Sequence, residues 1–211
     1  TVMMADISIK VLESNNAITK KIHMALAKAF NKTLSQNVTQ IYRGLQPLIS
    51  SALLSSPELA SVSGGLLRTD FGLTSDPSSA IVSAIVSSLN IQIQRAKATA
   101  AGIKGGLLIT MQPIDYNNLF SLSVAEQMTA KGASLPWLQW LLTFGQQIIV
   151  ANFGVEYGAG KGRSGGGYMA VDERPFKVSS QHAGTVDDNF ITRAIDSVAP
   201  QIKSILIKGV Q

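Results

Sequence analysis

The sequence predicts an α+β fold with a long N-terminal amphipathic helix, a mixed, mostly antiparallel sheet and a C-terminal helix. Three observations predict it. Ile18, Ile22, Leu26, Phe30, Leu34, Val38, Ile41, Leu45 and Leu48 recur every three or four positions, the spacing of one helix face. Residues 90–113 then alternate polar and apolar around a glycine pair, which is strand texture. Ile191, Ile195, Val198, Ile202 and Ile205 return to helical spacing near the end. The order is α, mixed, β, α, without the regular alternation of a βαβ fold. Residues 1–62 form a helical region and 63–211 an α+β region carrying a glycine-rich loop at 154–167, together read as one structural unit. A length of 211 residues fits that reading.

Each element has a local reason. Ser14 or Asn15 is expected to cap the first helix, with Lys20, Lys21, Lys28 and Lys32 off its apolar stripe. Pro47 is expected to kink or end it. Ser55-Ser56-Pro57 starts a new helix, which Gly64-Gly65 breaks. Residues 66–73 read as a short strand or a turn into one. Pro77 opens a second helix reaching Leu89, although its β-branched residues leave a strand open. Ile91, Ile93 and Arg95 alternate with Gln92, Gln94 and Ala96, so two antiparallel strands are expected around a turn at 102–106. Residues 123–131 read as a short helix ended by Gly132. Ser134 caps a further helix from Trp137 to Phe144, with Pro136 just inside and Gly145 as its stop. Residues 147–157 read as a strand, followed after the loop by short strands at 168–171 and 176–178. Asp187 or Asp188 caps the last helix, which Pro200 bends.

Only 15% of the residues are charged and 45% are hydrophobic, against about 25% charged in typical soluble domains. This excludes a mostly disordered chain. Neutral polar surface is less costly to cover than charged surface, so the composition points to a subunit of something larger. The absence of cysteine removes disulfides, thiolate metal sites and cysteine nucleophiles. The net charge is +5, and the first 43 residues hold six basic against two acidic side chains. That mild excess is compatible with nearby nucleic acid, without any five-residue basic run. Residues 1–6 lack the basic and apolar pattern of a signal peptide. Residues 132–155 carry no charge and are long enough for a bilayer. Gln139, Gln146, Gln147 and Asn152 argue instead for a buried helix followed by a buried strand.

Gly160, Gly162 and Gly165 match the spacing of a dinucleotide fingerprint, but Gly166-Gly167-Tyr168 leads into a strand. The fingerprint needs a helix N-terminus to receive the pyrophosphate, so no nucleotide site is expected. Lys161 and Arg163 make the loop tip basic and suited to a partner or DNA. His182 has Ser179 and Ser180 before it and Asp187 and Asp188 after it. A triad requires convergence in space, and His182 reads as a loop residue bonded to backbone. His23 reads as a surface residue. Asp172, Glu173, Asp187 and Asp188 lack the periodicity of a calcium loop. Asn31-Lys32-Thr33 and Asn37-Val38-Thr39 match glycosylation sequons inside a predicted helix, which makes them coincidental. No cofactor, metal or catalytic residue is expected.

Four features in this order resemble the neck and tail-completion proteins of long-tailed bacteriophages. They are the N-terminal helix, Gly64-Gly65-Leu66-Leu67-Arg68-Thr69-Asp70, the strand end Val155-Glu156-Tyr157-Gly158 before a glycine-rich loop, and Arg174-Pro175-Phe176 before a final helix. Residues 135–142 and Asn189-Phe190-Ile191-Thr192-Arg193-Ala194 also look like structural proteins of contractile-tailed phages. Residues 80–89 and 135–142 are additions to the compact pattern. The resemblance implies a non-enzymatic virion subunit in a head–tail connector ring, assembled in the host cytoplasm. Its implied partners are copies of itself, neighbouring neck, portal-adaptor and tail proteins, and DNA by non-specific proximity, with no membrane. Lys161, Arg163, Lys20, Lys21, Lys28 and Lys32 are the expected partner-facing or DNA-facing residues. Trp137, Trp140, Tyr157 and Phe176 are the expected interface residues. Alternatives are a tail terminator or baseplate subunit, or a small hydrolase using His182.

Overall fold

The computed structural model describes residues 13–113, 115–129 and 132–210. It is an α+β structure built on one long helix, α1 (Asn15–Leu54). The Ser14 hydroxyl caps α1 by accepting from the Ala17 N–H at 3.3 Å. Pro47 does not end the helix, which runs seven residues past it. A proline costs its own hydrogen bond and a clash with the preceding turn. Here Leu45, Ile49 and Leu53 are all buried around Pro47, and their packing holds the backbone helical.

The apolar stripe of α1 has two fates. Each four-residue step along a helix turns the side chain by about 40° beyond a full circle. Ile18, Ile22, Leu26, Phe30 and Leu34 are four such steps, so the stripe winds by about 160°. Leu34, Ile41 and Leu45 are fully buried, whereas Ile22 and Leu26 are 52% and 51% exposed. The C-terminal half of α1 is thus the spine of the core, and the N-terminal half carries its apolar ridge outward.

Beyond α1 lie α2 (Pro57–Gly64), α3 (Leu66–Asp70) and α4 (Ser78–Ser87). The Ser56 hydroxyl caps α2 by accepting from Leu59 N–H, with Pro57 just inside it. Residues 66–70 are helical, correcting the expected strand or turn. Leu67 is buried on this single helical turn and Phe71 just after it. The helix reading of residues 80–89 holds, with Pro77 at the cap position.

β1 (Asn90–Thr99) and β2 (Gly102–Thr110) form an antiparallel ribbon. The connection is residues 100–101, so the expected turn at 102–106 moves; Gly105 and Gly106 lie inside β2. The pairing slips between Gln94 and Lys97, a β-bulge. A Cβ on Gly105 would stand 2.3 Å from the Ala96 Cα, so only glycine fits opposite the bulge.

The remaining elements are α5 (Asn117–Phe120), β3 (Gln127–Met128), β4 (Ser134–Leu135), α6 (Trp137–Thr143), β5 (Phe153–Tyr157), β6 (Gly167–Val171), α7 (Phe190–Ser197) and α8 (Ala199–Gly209). Among the described residues the strands form three separate two-stranded antiparallel ribbons. Residues 123–129 are turns and β3 rather than helix. Ser134 lies in β4, its hydroxyl bonded to Glu126, and Pro136 takes the cap position of α6. The 147–157 strand shortens to β5, which is not buried. Phe176 joins only an isolated bridge to Val150. The last helix breaks at Val198, just before Pro200, into α7 and α8. Asn189, not Asp187 or Asp188, caps α7 in a reciprocal box with Thr192, because it alone is buried with its amide aimed at free N–H groups.

One contiguous core joins Ile41, Leu45, Ile49, Leu53, Leu59 and Val62 to Phe71, Trp137, Leu141 and Phe190. It therefore spans both the 1–62 and the 63–211 regions. Arg193 of α7 ties α7 to α2 through Glu58, which is 2% exposed, at 2.8 Å. The same guanidinium holds Asp188 at 2.8 Å.

Candidate functional site

The N-terminal half of α1 lies along the β1–β2 ribbon and forms an open groove of about 640 Å³ with β1. Asn31 fixes the two walls together. Its side-chain amide donates to the Ala96 carbonyl at 3.0 Å, and its oxygen accepts from the Ala96 N–H at 2.7 Å. His23 adds a contact of 3.3 Å between Nδ1 and the Thr99 carbonyl, so it is half-buried against the ribbon and not free on the surface.

Lys20, Lys28 and Lys32 line the α1 side, and Arg95 and Lys97 the β1 side. None of the described residues lining the groove is acidic. The reason is in the sequence: no Asp or Glu lies between Glu13 and Glu58, or between Asp76 and Asp115. None of these five cations makes an ion pair among the described residues. Lys97 also stands directly across the ribbon from Lys104, an unfavourable pairing of like charges. Lys21 lies off the groove lining and pairs with Glu13.

The structure does not bring Lys161 and Arg163 to this groove. They belong to the loop of the β5–β6 ribbon, which packs on α3. Lys161 sits over the Tyr168 ring at 5.5 Å, and Arg163 donates to the Met128 carbonyl. The loop is closed by internal backbone bonds, including Gly160 N–H to Gly165 O at 2.8 Å. Gly162, at φ +66°, lies so close to the Gly167 carbonyl that a Cβ there would be 1.7 Å from its oxygen. Its glycines therefore serve a tight fold of the loop on itself.

The four expected interface residues separate into different environments. Trp137 is fully buried, donates from Nε1 to the Val124 carbonyl at 2.8 Å and packs on Phe71. Phe176 is also buried. Both are core residues in this fold, which corrects their reading as contact surface; α6 must bury a face because Leu138, Leu141 and Leu142 flank Trp137. Trp140 is half-buried beside Phe71. Tyr157 is 55% exposed.

Tyr157 belongs to a polar cluster that the sequence did not reveal. Its hydroxyl donates to Asp70 Oδ1 at 2.6 Å. Burial raises the Asp70 carboxyl above its ordinary range, offset in part by Tyr157 and by His182 nearby. Partial burial, then Asp70, pushes the Tyr157 phenol well up. The His182 Nδ1 atom is buried and has no hydrogen-bond partner among the described residues. His182 is a loop residue, as expected, and its main-chain N–H donates to the Ser179 carbonyl at 3.0 Å. Among the described residues no hydrogen bond joins His182 to the Ser179 or Ser180 hydroxyl, and Asp188 is held by Arg193.

Asp172 is held below the usual carboxylate range by Arg174. Among the described residues no three His, Asp or Glu side chains gather as a metal site, and no helix is long and apolar enough to cross a membrane. The two sequon asparagines are structural: Asn31 holds β1, and Asn37 donates to the Gly209 carbonyl at 2.8 Å.

Sequence reasoning found the α1 lysines but missed Arg95, Lys97 and Asn31. The long acid-free stretches were the available signal. No family model matches the chain, and no curated protein or solved structure matches it.

Proposed function

We propose that this chain is a non-enzymatic structural subunit of a bacteriophage virion. In this reading it forms part of a neck ring, a head–tail connector or tail-completion ring through which DNA passes. Its partners are copies of itself and the neighbouring neck, portal-adaptor and tail proteins. The observation that carries the reading is the outward ridge of α1, where Ile22 and Leu26 are each half-exposed on a 40-residue helix. Covering such apolar side chains is the main gain in subunit association. The low charged fraction of 15% suits broad contacts between subunits. The ordered resemblance to neck proteins supplies the setting, and the same ridge would serve a tail terminator or baseplate subunit.

Light scattering of the purified chain over a concentration series tests the assembly. Wild type is expected to form concentration-dependent oligomers, and Ile22→Asp/Leu26→Asp to stay monomeric with unchanged circular dichroism. Side-chain density for this chain in a particle reconstruction would fix its position in the neck, terminator or baseplate. A wild-type monomer at all concentrations, absent from purified particles, would sink the proposal.

A further inference from the structure

We infer that the groove between α1 and β1 is a duplex-DNA backbone site, and that the glycine loop is not. The inference deepens the proposed function, and it rests on that reading only for choosing DNA among polyanions. Five cations line the groove from two different elements, with no acidic residue among its described lining. Folding has placed like charges together, including Lys97 opposite Lys104, at an energetic cost that a bound polyanion reverses.

The dimensions fit a phosphate strand. Lys20 and Lys32, with Lys28 between them, stand 12 residue steps apart, about 18 Å at 1.5 Å per residue. One strand of a duplex presents a phosphate about every 3.4 Å along the axis, so the row faces about five of them. Arg95 and Lys97 supply the opposite wall. The described residues of the groove lining include no aromatic side chain, whereas single-strand binders stack bases on such rings. Four of the five cations are lysines, and contacts to phosphate position a protein on the duplex without carrying sequence information. Asn31 is the positioning residue, because it fixes the β1 bulge that carries Arg95 and Lys97 against α1.

In Lys161 and Arg163, by contrast, the charge is engaged within the loop's own surroundings, over Tyr168 and on the Met128 carbonyl. The structure thus divides the six basic residues that the sequence singles out.

The test is fluorescence anisotropy of a labelled random-sequence 30-base-pair duplex with the full chain, between 50 and 200 mM salt. Neutralising four or five phosphates is expected to lower affinity by about 100- to 500-fold over that range. Lys28→Ala/Arg95→Ala is expected to weaken binding by one to two orders of magnitude at about 0.1 M salt and to flatten the salt slope by about two. Lys161→Ala/Arg163→Ala is expected to bind as wild type. Binding lost in the loop variant but kept in the groove variant would overturn the assignment. So would a salt-independent wild type, tighter binding to single strands, or equal binding to polyglutamate, which would point to an acidic protein. Particle density places the chain in a virion or not without reference to DNA affinity, so a failed groove and a failed virion role are told apart.

Discussion

Asn31 of α1 grips both backbone groups of Ala96 in β1, donating to its carbonyl at 3.0 Å and accepting from its N–H at 2.7 Å. The β-bulge leaves those two groups without strand partners, and one amide side chain satisfies both. Asn31→Ala is expected to cost about 1–3 kcal/mol, the range for stranding partly buried polar groups. Asn31→Asp keeps the acceptor but sets a carboxylate oxygen against the Ala96 carbonyl, so it should also destabilise the ribbon. Urea unfolding measures the stability. Hydrogen exchange should show the loss concentrated in the β1–β2 ribbon, with α4 and α6 less affected.

Arg193 and Glu58 predict a second, sharper dependence. Glu58 is 2% exposed and meets Arg193 at 2.8 Å, so Arg193→Ala strands a buried carboxylate. The expected loss is about 3–5 kcal/mol. Asp188, on the same guanidinium, is largely exposed, and Asp188→Ala should cost under about 1 kcal/mol. Glu58→Gln/Arg193→Met should recover most of the single-variant loss, because no buried unpaired charge remains. Chemical denaturation of wild type, Glu58→Gln, Arg193→Met and the double variant forms the cycle.

Asp70 predicts a pH effect of definite sign. Burial raises its carboxyl above the ordinary value of 3.8. Between the unfolded and folded values the folded chain holds the extra proton, so stability falls as pH rises through that window. Asp70→Asn keeps an oxygen for the Tyr157 hydroxyl and removes the ionisation. It is expected to melt higher than wild type at pH 7, with the gap closing near pH 3. Thermal unfolding by circular dichroism across that range checks it; a gap that widened on acidification would contradict the sign.

The sequence by itself determined the α+β class, the existence of α1, α6 and the β1–β2 pair, and the stop at Gly145, but left α4 open between helix and strand. Those features rest on periodicity, caps and glycine, which act within a few residues of the chain. It also contained the winding of the α1 stripe, since four-residue steps must drift around a helix. Tertiary structure decided what local pattern cannot carry. Packing around Leu45, Ile49 and Leu53 kept α1 helical through Pro47. Burial turned Trp137 and Phe176 from expected surface into core. The groove depends on side chains more than sixty positions apart, Lys28 or Lys32 with Arg95 and Lys97. Their convergence is set by where the ribbon docks on α1, and a long-range docking leaves no spacing in sequence to read.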